Sequence, residues 1–220
     1  MITLAIDTAT PDLVVGLVEG DENPTALGGR AISDARGHNE RLVPAVVELL
    51  DEAGLSFGDL GRVVVGRGPG PFTGLRVGMA AAAAIAQARG IPVYQALTHD
   101  AIAAGLGPDE GRVLVVTDAR RREVYWALYE GGLRVAGPGV GKPAELDVAA
   151  DKVAGEERLA ALLGGGLADL PRLEPALTPE GLVAAADLGA EPGPLEPAYL
   201  RRPDAAIPPP PKRVLGGDER

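Results

Sequence analysis

A repeat of one short segment is the feature that most constrains the fold. IDTATPDLVVGLVEG, residues 6–20, aligns without gaps to TDARRREVYWALYEG, residues 117–131. Asp7 aligns with Asp118, and each copy reads as a strand ending in an aspartate, a polar turn and a returning strand. The pattern favours a duplication with two similarly folded lobes, although two unrelated hairpins can share it.

Strands and helices alternate in the first half of the chain. Apolar runs predict strands at 2–6 and 13–18, and apolar residues at helical spacing predict helices at about 39–53 and 74–89. This alternation indicates an α/β domain with parallel strand pairs. Segments 152–165 and 178–190 of the second half also read as helices.

The repeat and the Gly/Pro-rich segment near residue 107 together predict the domain organisation. The N-terminal lobe is expected to span residues 1–107 and the C-terminal lobe residues 108–200. Residues 201–220 carry four consecutive prolines and many charges, so this tail is expected to be extended or disordered.

Composition excludes several function classes. The chain has no cysteine, and so no disulfide, thiolate zinc site or cysteine nucleophile. No apolar run is long enough to span a bilayer, and the N-terminus lacks the basic region of a signal peptide, so a cytoplasmic location is expected. The formal net charge of −10 argues against stand-alone RNA binding.

The stretch VVVGRGPGPFTGLRVG, residues 63–78, is shaped like a phosphate-binding loop but fits neither common pattern. No lysine follows the glycines as in a Walker loop, and Thr73 stands where a dinucleotide-binding turn has its third glycine. Two prolines also remove backbone donors. Gly74, Gly78 and Ala82 instead share one helix face, which predicts close approach of another backbone, within the fold or from a partner.

Two aspartates are weak candidates for cofactor binding. Asp7 and Asp118 end matching strands, and paired carboxylates facing a cleft can hold Mg²⁺ on a nucleotide. The other interpretation is that each carboxylate caps its own turn by accepting bonds from backbone N–H groups. Neither His38 nor His99 lies at helical ligand spacing from another histidine, so the sequence predicts no metal site.

The pattern as a whole resembles the TsaB (YeaZ) family. The resemblance rests on LAIDTAT, HNERLVPAVVELLDEAGLSFGDL, VVVGRGPGPFTGLRVGMAAAAAIAQARGIPVY, TDARRREVYWALYEG and EPAYLRR. It implies an α/β, actin-like ATPase/sugar-kinase (ribonuclease H-like) fold with two duplicated lobes. It also implies a role in making threonylcarbamoyladenosine in tRNA.

The resemblance further implies partners. In this pathway TsaD transfers the threonylcarbamoyl group, TsaB is its non-catalytic paralogue and partner, and the small ATPase TsaE joins them. The family implies a homodimer in isolation, contact with tRNA only indirectly through the complex, and no cofactor. The histidine pair that holds the metal of TsaD corresponds here to Thr98 and Ile102, so the transferase chemistry is expected to be missing.

The expected partner interface is the pair of helices at 39–53 and 74–89. Small residues would permit close approach and aliphatic ones would supply apolar area, the candidates being Leu42, Val46, Gly74, Gly78 and Ala82. The alternative is that Leu42 and Val46 belong to an ordinary buried core face. On the interface interpretation, Gly78→Leu weakens the complex by overpacking.

A rival interpretation makes the chain an enzyme. It would be an ATP-dependent phosphotransferase or carbamoyltransferase of the same fold, using Asp7 and Asp118 around Mg²⁺. A glycoprotease-like peptidase is a further alternative, although the sequence offers it neither metal ligands nor a triad motif. Binding and turnover of Mg-ATP separates the enzyme from the subunit.

Overall fold

The protein is built on two five-stranded sheets. The computed structural model describes residues 1–33, 38–107, 110–174 and 176–201, and only the backbone of residues 38 and 39. The first sheet comprises β1 (Ile2–Asp7), β2 (Leu13–Glu19), β3 (Thr25–Ile32), β4 (Leu60–Gly66) and β5 (Val93–Ala96). The second comprises β6 (Arg112–Asp118), β7 (Val124–Glu130), β8 (Leu133–Gly141), β9 (Lys152–Ala154) and β10 (Arg172–Leu173).

The two sheets have the same topology. Their strand orders are β3-β2-β1-β4-β5 and β8-β7-β6-β9-β10. In each sheet the first three strands along the chain pair antiparallel, and the fourth pairs parallel with the first. This order is that of a ribonuclease H-like sheet, and its occurrence twice confirms the predicted duplicated α/β fold.

Five helices cover the sheets within the described residues. They are α1 (His38–Glu52), α2 (Phe72–Arg89), α3 (Thr98–Ala104), α4 (Glu157–Ala160) and α5 (Pro179–Ala185). The long helices α1 and α2 bury one face against the first sheet, whose core is aliphatic. No described helix is long and apolar enough to cross a membrane.

The last helix of each half packs on the opposite sheet. Ile102 and Ala103 of α3 join the apolar cluster of β6 and β7. Leu182 and Val183 of α5 join the cluster of β1, β2 and β4. The predicted domain boundary at residue 107 stays a prediction. It separates the two sheets along the chain, but residues 177–188, which follow it, pack against the N-terminal sheet.

Most predicted elements are present, with three differences. The helix predicted from residue 74 begins at Phe72, with Pro71 rather than Thr73 at its N-cap, and ends as expected at the left-handed Gly90. The helix predicted over 152–165 is wrong over most of its length, because Lys152–Ala154 forms β9, which pairs parallel with β6, and only Glu157–Ala160 is helical. The helix predicted over 178–190 ends earlier, at Ala185. The predicted tail, apart from Arg201, lies outside the described residues.

Candidate functional site

The glycine-rich stretch packs against the turn that follows β1. Every fourth residue from the end of β4 into α2 is glycine, and an added Cβ would lie closer than 3.0 Å to this turn at each. The pairs are Gly66 with the Asp7 carboxylate, Gly70 with the Ala9 carbonyl, Gly74 with the Thr8 carbonyl and Gly78 with the Thr8 hydroxyl. As a result the first half of the turn is buried, with Thr8 1% and Ala9 3% exposed, whereas Pro11 in its second half is exposed.

The Thr8 hydroxyl is inserted into the hydrogen-bond ladder of α2. Its Oγ1 donates to the Gly74 carbonyl at 2.7 Å and accepts from the Gly78 N–H at 3.1 Å. These two backbone groups are the i and i+4 partners of a helical hydrogen bond, so the hydroxyl bonds both groups of one rung of the α2 ladder. Close approach by a backbone, one of the two predicted uses of these glycines, therefore occurs inside the fold.

Asp7 is completely buried beside this turn. Its Oδ1 accepts the Ala9 N–H at 2.6 Å and its Oδ2 accepts the Thr98 hydroxyl at 2.7 Å. Burial raises the pKa of Asp7 to about 6, opposed by the bonds from the Ala9 N–H and the Thr98 hydroxyl. A carboxylate that is 0% exposed cannot line an open cleft.

Asp118 occupies the equivalent position in the second sheet. Its Oδ1 accepts a hydrogen bond from the Arg120 N–H at 2.6 Å. Asp7 makes the same capping contact, since it also accepts the N–H of the residue two positions later. Its Oδ2 accepts Arg158 Nη2 at 2.9 Å. Both aspartates thus make the turn-capping contacts that were the alternative to cofactor binding.

The turn after Asp118 has an unusual backbone. Arg120, Arg121 and Arg122 have φ of 59°, 54° and 63°, the left-handed region that costs a non-glycine residue about 1–2 kcal/mol. All three side chains are exposed. The sequence pattern identified the turn but gave no signal for its left-handed conformation.

Four of the five predicted interface residues are buried, and Gly74 is half-buried. Leu42 and Val46 are 1% and 0% exposed, and both belong with Ala82 to the core of the first sheet. Gly74 and Gly78 contact Thr8. Partner binding by this helix pair stays a prediction. The residues predicted to make the contact need correction, because a side chain buried in the core cannot contact a partner.

The positions that correspond to the metal ligands of the transferase do not fit a metal. Thr98 donates to Asp7, and Ile102 is buried in an apolar cluster. His99 is also buried, with Nε2 2.8 Å from the Thr117 hydroxyl, and burial, with the nearby charge of Arg134, lowers its pKa to about 3. Among the described residues, no group of three or more His, Cys, Asp or Glu side chains could hold a metal.

The segment 194–201 crosses the glycine-rich loop as a strap. The side chain of Gln95 bonds the backbone at Pro194 and Glu196, and Ala198 N–H donates to the Arg67 carbonyl at 2.7 Å. The ring of Tyr199 stacks on Phe72. Sequence reasoning noted EPAYLRR as a family pattern but did not foresee that it covers this loop.

Comparison with known proteins decides the family. Residues 32–174 match the family model described as "TsaD: tRNA N6-adenosine threonylcarbamoyltransferase". The chain is 37% identical over 132 residues to Escherichia coli tRNA threonylcarbamoyladenosine biosynthesis protein TsaB, covering 59% of this chain and 55% of that protein. A solved Pseudomonas aeruginosa protein described as similar to peptidase YeaZ superposes with a TM-score of 0.72 at 28% identity, covering 91% of this chain and 99% of the other. The chain belongs to the TsaB (YeaZ) family.

A more similar relative extends the match along nearly the whole chain. An uncharacterized protein of Mycobacterium tuberculosis is 52% identical over 204 residues, which is 92% of each protein. The TsaB sequence from E. coli is matched over little more than half its length. The superposition with the P. aeruginosa protein covers 91% of this chain and therefore extends the structural similarity over both sheets.

Proposed function

We propose that this chain is a non-catalytic subunit in the synthesis of threonylcarbamoyladenosine in tRNA, and that it binds and activates a TsaD-type transferase. The observation that carries the proposal is the burial of Asp7 and of the first half of the turn after β1. Both carboxylate oxygens of Asp7 accept hydrogen bonds. The glycine-rich backbone packs directly on Thr8 and Ala9 and occupies the space beside them. The relatives named TsaB support the same pathway.

The absence of suitable ligands on α3 supports a non-catalytic role. Where the transferase has two histidines, Thr98 is engaged with Asp7 and Ile102 with the apolar core. Neither side chain supplies an imidazole to a metal. A subunit that contributes by binding, and not by chemistry, is consistent with both observations.

The outward face of α1 is the surface we propose for the partner. Val43 and Val47 lie one helical turn apart and are 48% and 40% exposed. Beside them α2 exposes the alanines 80, 83 and 84. This apolar face replaces the predicted residues Leu42 and Val46, which point to the core from the same helix, and it is also the surface proposed for homodimers.

The test is binding to a purified TsaD relative from the same source. Val43→Asp/Val47→Asp places two charges at the centre of the proposed interface, so we expect at least tenfold weaker binding by titration calorimetry and no co-elution. Val135→Asp is the matched control, because Val135 on β8 is also 48% exposed. We expect it to bind like the parent.

Reconstitution separates the subunit from the enzyme. Mixing the chain with the transferase, TsaE, ATP, a threonylcarbamoyl donor and unmodified tRNA should restore formation of the modified nucleoside, and omission of the chain should abolish it. Stoichiometric Mg-ATP binding with turnover by the isolated chain would instead support the phosphotransferase or carbamoyltransferase interpretation. Peptide hydrolysis would support the peptidase.

A further inference from the structure

The described arginines are unevenly distributed. Six of them, which we call the arginine face, lie on the strap, on the loop and helix beneath it, and on the left-handed turn: Arg67, Arg76, Arg120, Arg121, Arg122 and Arg201. The chain as a whole carries 31 acidic against 21 basic residues. Such a concentration in an acidic protein calls for a ligand of opposite charge.

Direct contacts join these arginines into one surface. Arg201 of the strap pairs with Glu123, which immediately follows the left-handed turn. Two residues earlier, Tyr199 accepts a bond from Arg76 Nε at 3.1 Å. The strap therefore connects the β6–β7 turn with the start of α2, across the boundary between the two halves of the chain.

Two acidic side chains beside the left-handed turn are already paired, whereas, within the described residues, the exposed Glu196 of the strap has only backbone hydrogen bonds. Glu123 is engaged by Arg201, and Asp118 by Arg158. No ion pair is found for Arg120 or Arg122 among residues 1–33, 38–107, 110–174 and 176–201. Their positive charge is therefore not neutralised within the described chain.

Two aromatic rings lie in the middle of the arginine face. Phe72 and Tyr199 are 40% and 38% exposed, with ring centroids 4.9 Å apart. The Arg76 guanidinium carbon lies 3.8 Å from the centroid of the Phe72 ring. Aromatic rings and guanidinium planes beside basic side chains are the combination that binds unpaired bases and their flanking phosphates.

We infer that the arginine face binds a single-stranded segment of the tRNA directly. This inference rests on the proposed function, which supplies a tRNA substrate, and it goes beyond the expectation that the chain contacts tRNA only through its partner. An acidic protein surface fits less well, because protein interfaces centre on apolar anchors and the exposed large apolar residues here are the two rings alone. Guanidinium groups match phosphate oxygens in a bidentate geometry.

The first test measures the affinity of the full chain for a labelled, unmodified tRNA transcript by fluorescence anisotropy at increasing salt. Arg120→Gln/Arg122→Gln should weaken binding at least tenfold and reduce the slope of log affinity against log salt by about 1.4, two contacts at about 0.7 each. The control pair is Arg89→Gln/Lys142→Gln. Arg89 lies at the opposite end of α2, roughly 25 Å from Phe72. We expect this control to stay within twofold of the parent.

The second test separates stacking from charge. Tyr199→Ala should weaken tRNA binding about tenfold, whereas Tyr199→Phe keeps the ring and should stay within about threefold. Thermal unfolding of each variant verifies that it folds, and the single variants Arg120→Gln and Arg122→Gln replace the pair if the pair does not. Each single variant should lower the salt slope by about half as much.

Three outcomes would overturn the inference. The parent could fail to bind tRNA at low salt, the arginine pair could bind as tightly as the parent, or the control pair could lose as much affinity. Loss of transferase binding with unchanged tRNA affinity would identify a protein interface instead. The proposed function is tested separately, since Val43→Asp/Val47→Asp disrupts the partner surface and should leave tRNA binding by the isolated chain unchanged.

Discussion

The two hairpin turns at Asp7 and Asp118 share the same local sequence pattern but lie in different tertiary surroundings. Each aspartate accepts the backbone N–H two residues later at 2.6 Å. Four glycines bury the first half of the first turn, and the second turn exposes three consecutive arginines. A repeated sequence therefore preserved the local hydrogen bond, while packing from distant segments set what each turn can contact.

Strand register also differs between the hairpins. Asp7 lies opposite Val14, whereas Asp118 lies opposite Val124, the residue that aligns with Leu13 in the repeat. The second loop is therefore one residue shorter between paired strands. Positive φ matches the right-handed twist of tight hairpins, which is a physical reason for left-handed residues in the shorter loop.

The largest expected effect tests the sealing of the first turn. Gly78→Leu should lower the free energy of unfolding by more than about 3 kcal/mol, because even a Cβ at this position overlaps the Thr8 hydroxyl and the longer side chain has no space. This replaces the expectation that the variant weakens a complex by overpacking its interface. Urea denaturation measures the loss. Gly193→Leu is the control, since no atom lies within 4 Å of a Cβ there, and a loss of similar size in both variants would contradict the argument.

The next effect concerns the charge of Asp7. Its pKa is raised from 3.8 to about 6 by burial, so the folded state binds the proton more tightly than the unfolded state. The stability that this protonation contributes is present below about pH 4 and is lost as the pH rises through 6. Asp7→Asn should remove this dependence, so its stability relative to the parent should increase by about 2 kcal/mol from pH 4 to pH 7.

Urea denaturation at four pH values checks this expectation. Asp118→Asn serves as the comparison from the second turn, and its partly exposed pair with Arg158 should make it differ from the parent by less than about 1 kcal/mol at pH 7. A stability difference between Asp7→Asn and the parent that is constant with pH would contradict the assigned role of burial.

A smaller effect is expected from removal of the inserted hydroxyl. Thr8→Val keeps the shape of the side chain but removes the hydroxyl bonds to the Gly74 carbonyl and from the Gly78 N–H, which should cost about 1–2 kcal/mol. Thr8→Ser retains the hydroxyl and should lose less. If calorimetry finds both variants equally stable, the helix has re-formed its direct hydrogen bond and the inserted hydroxyl contributes little.

The smallest effect tests strain in the second turn. Arg122→Gly should raise the free energy of unfolding by about 0.5 kcal/mol, because glycine adopts φ of 63° without the steric cost, and part of this gain is offset by its greater chain entropy. Arg122→Ala keeps a Cβ and should show no gain. Thermal unfolding at equal ionic strength distinguishes strain from charge, since both variants remove the same arginine.

Prediction from sequence succeeded where the signal was local. The apolar runs of β1 and β2, the helical spacing of α1 and the left-handed stop at Gly90 depend on neighbouring residues, and all are present. The strands β3 and β8 were not predicted, because glycines interrupt TALGGRAI and LRVAGPGVG. Both are edge strands that depend on pairing with β2 and β7.

The sequence by itself determined the duplicated fold, the family and the failure of the glycine-rich stretch to fit a phosphate loop. Only the tertiary structure decided which way the small and apolar side chains face, since one helix pattern suits a core and an interface equally well. It placed Leu42 in the core and Val43 on the surface. It also brought the strap, α2 and the second turn together, because contacts such as Arg76 with Tyr199 join residues more than a hundred positions apart.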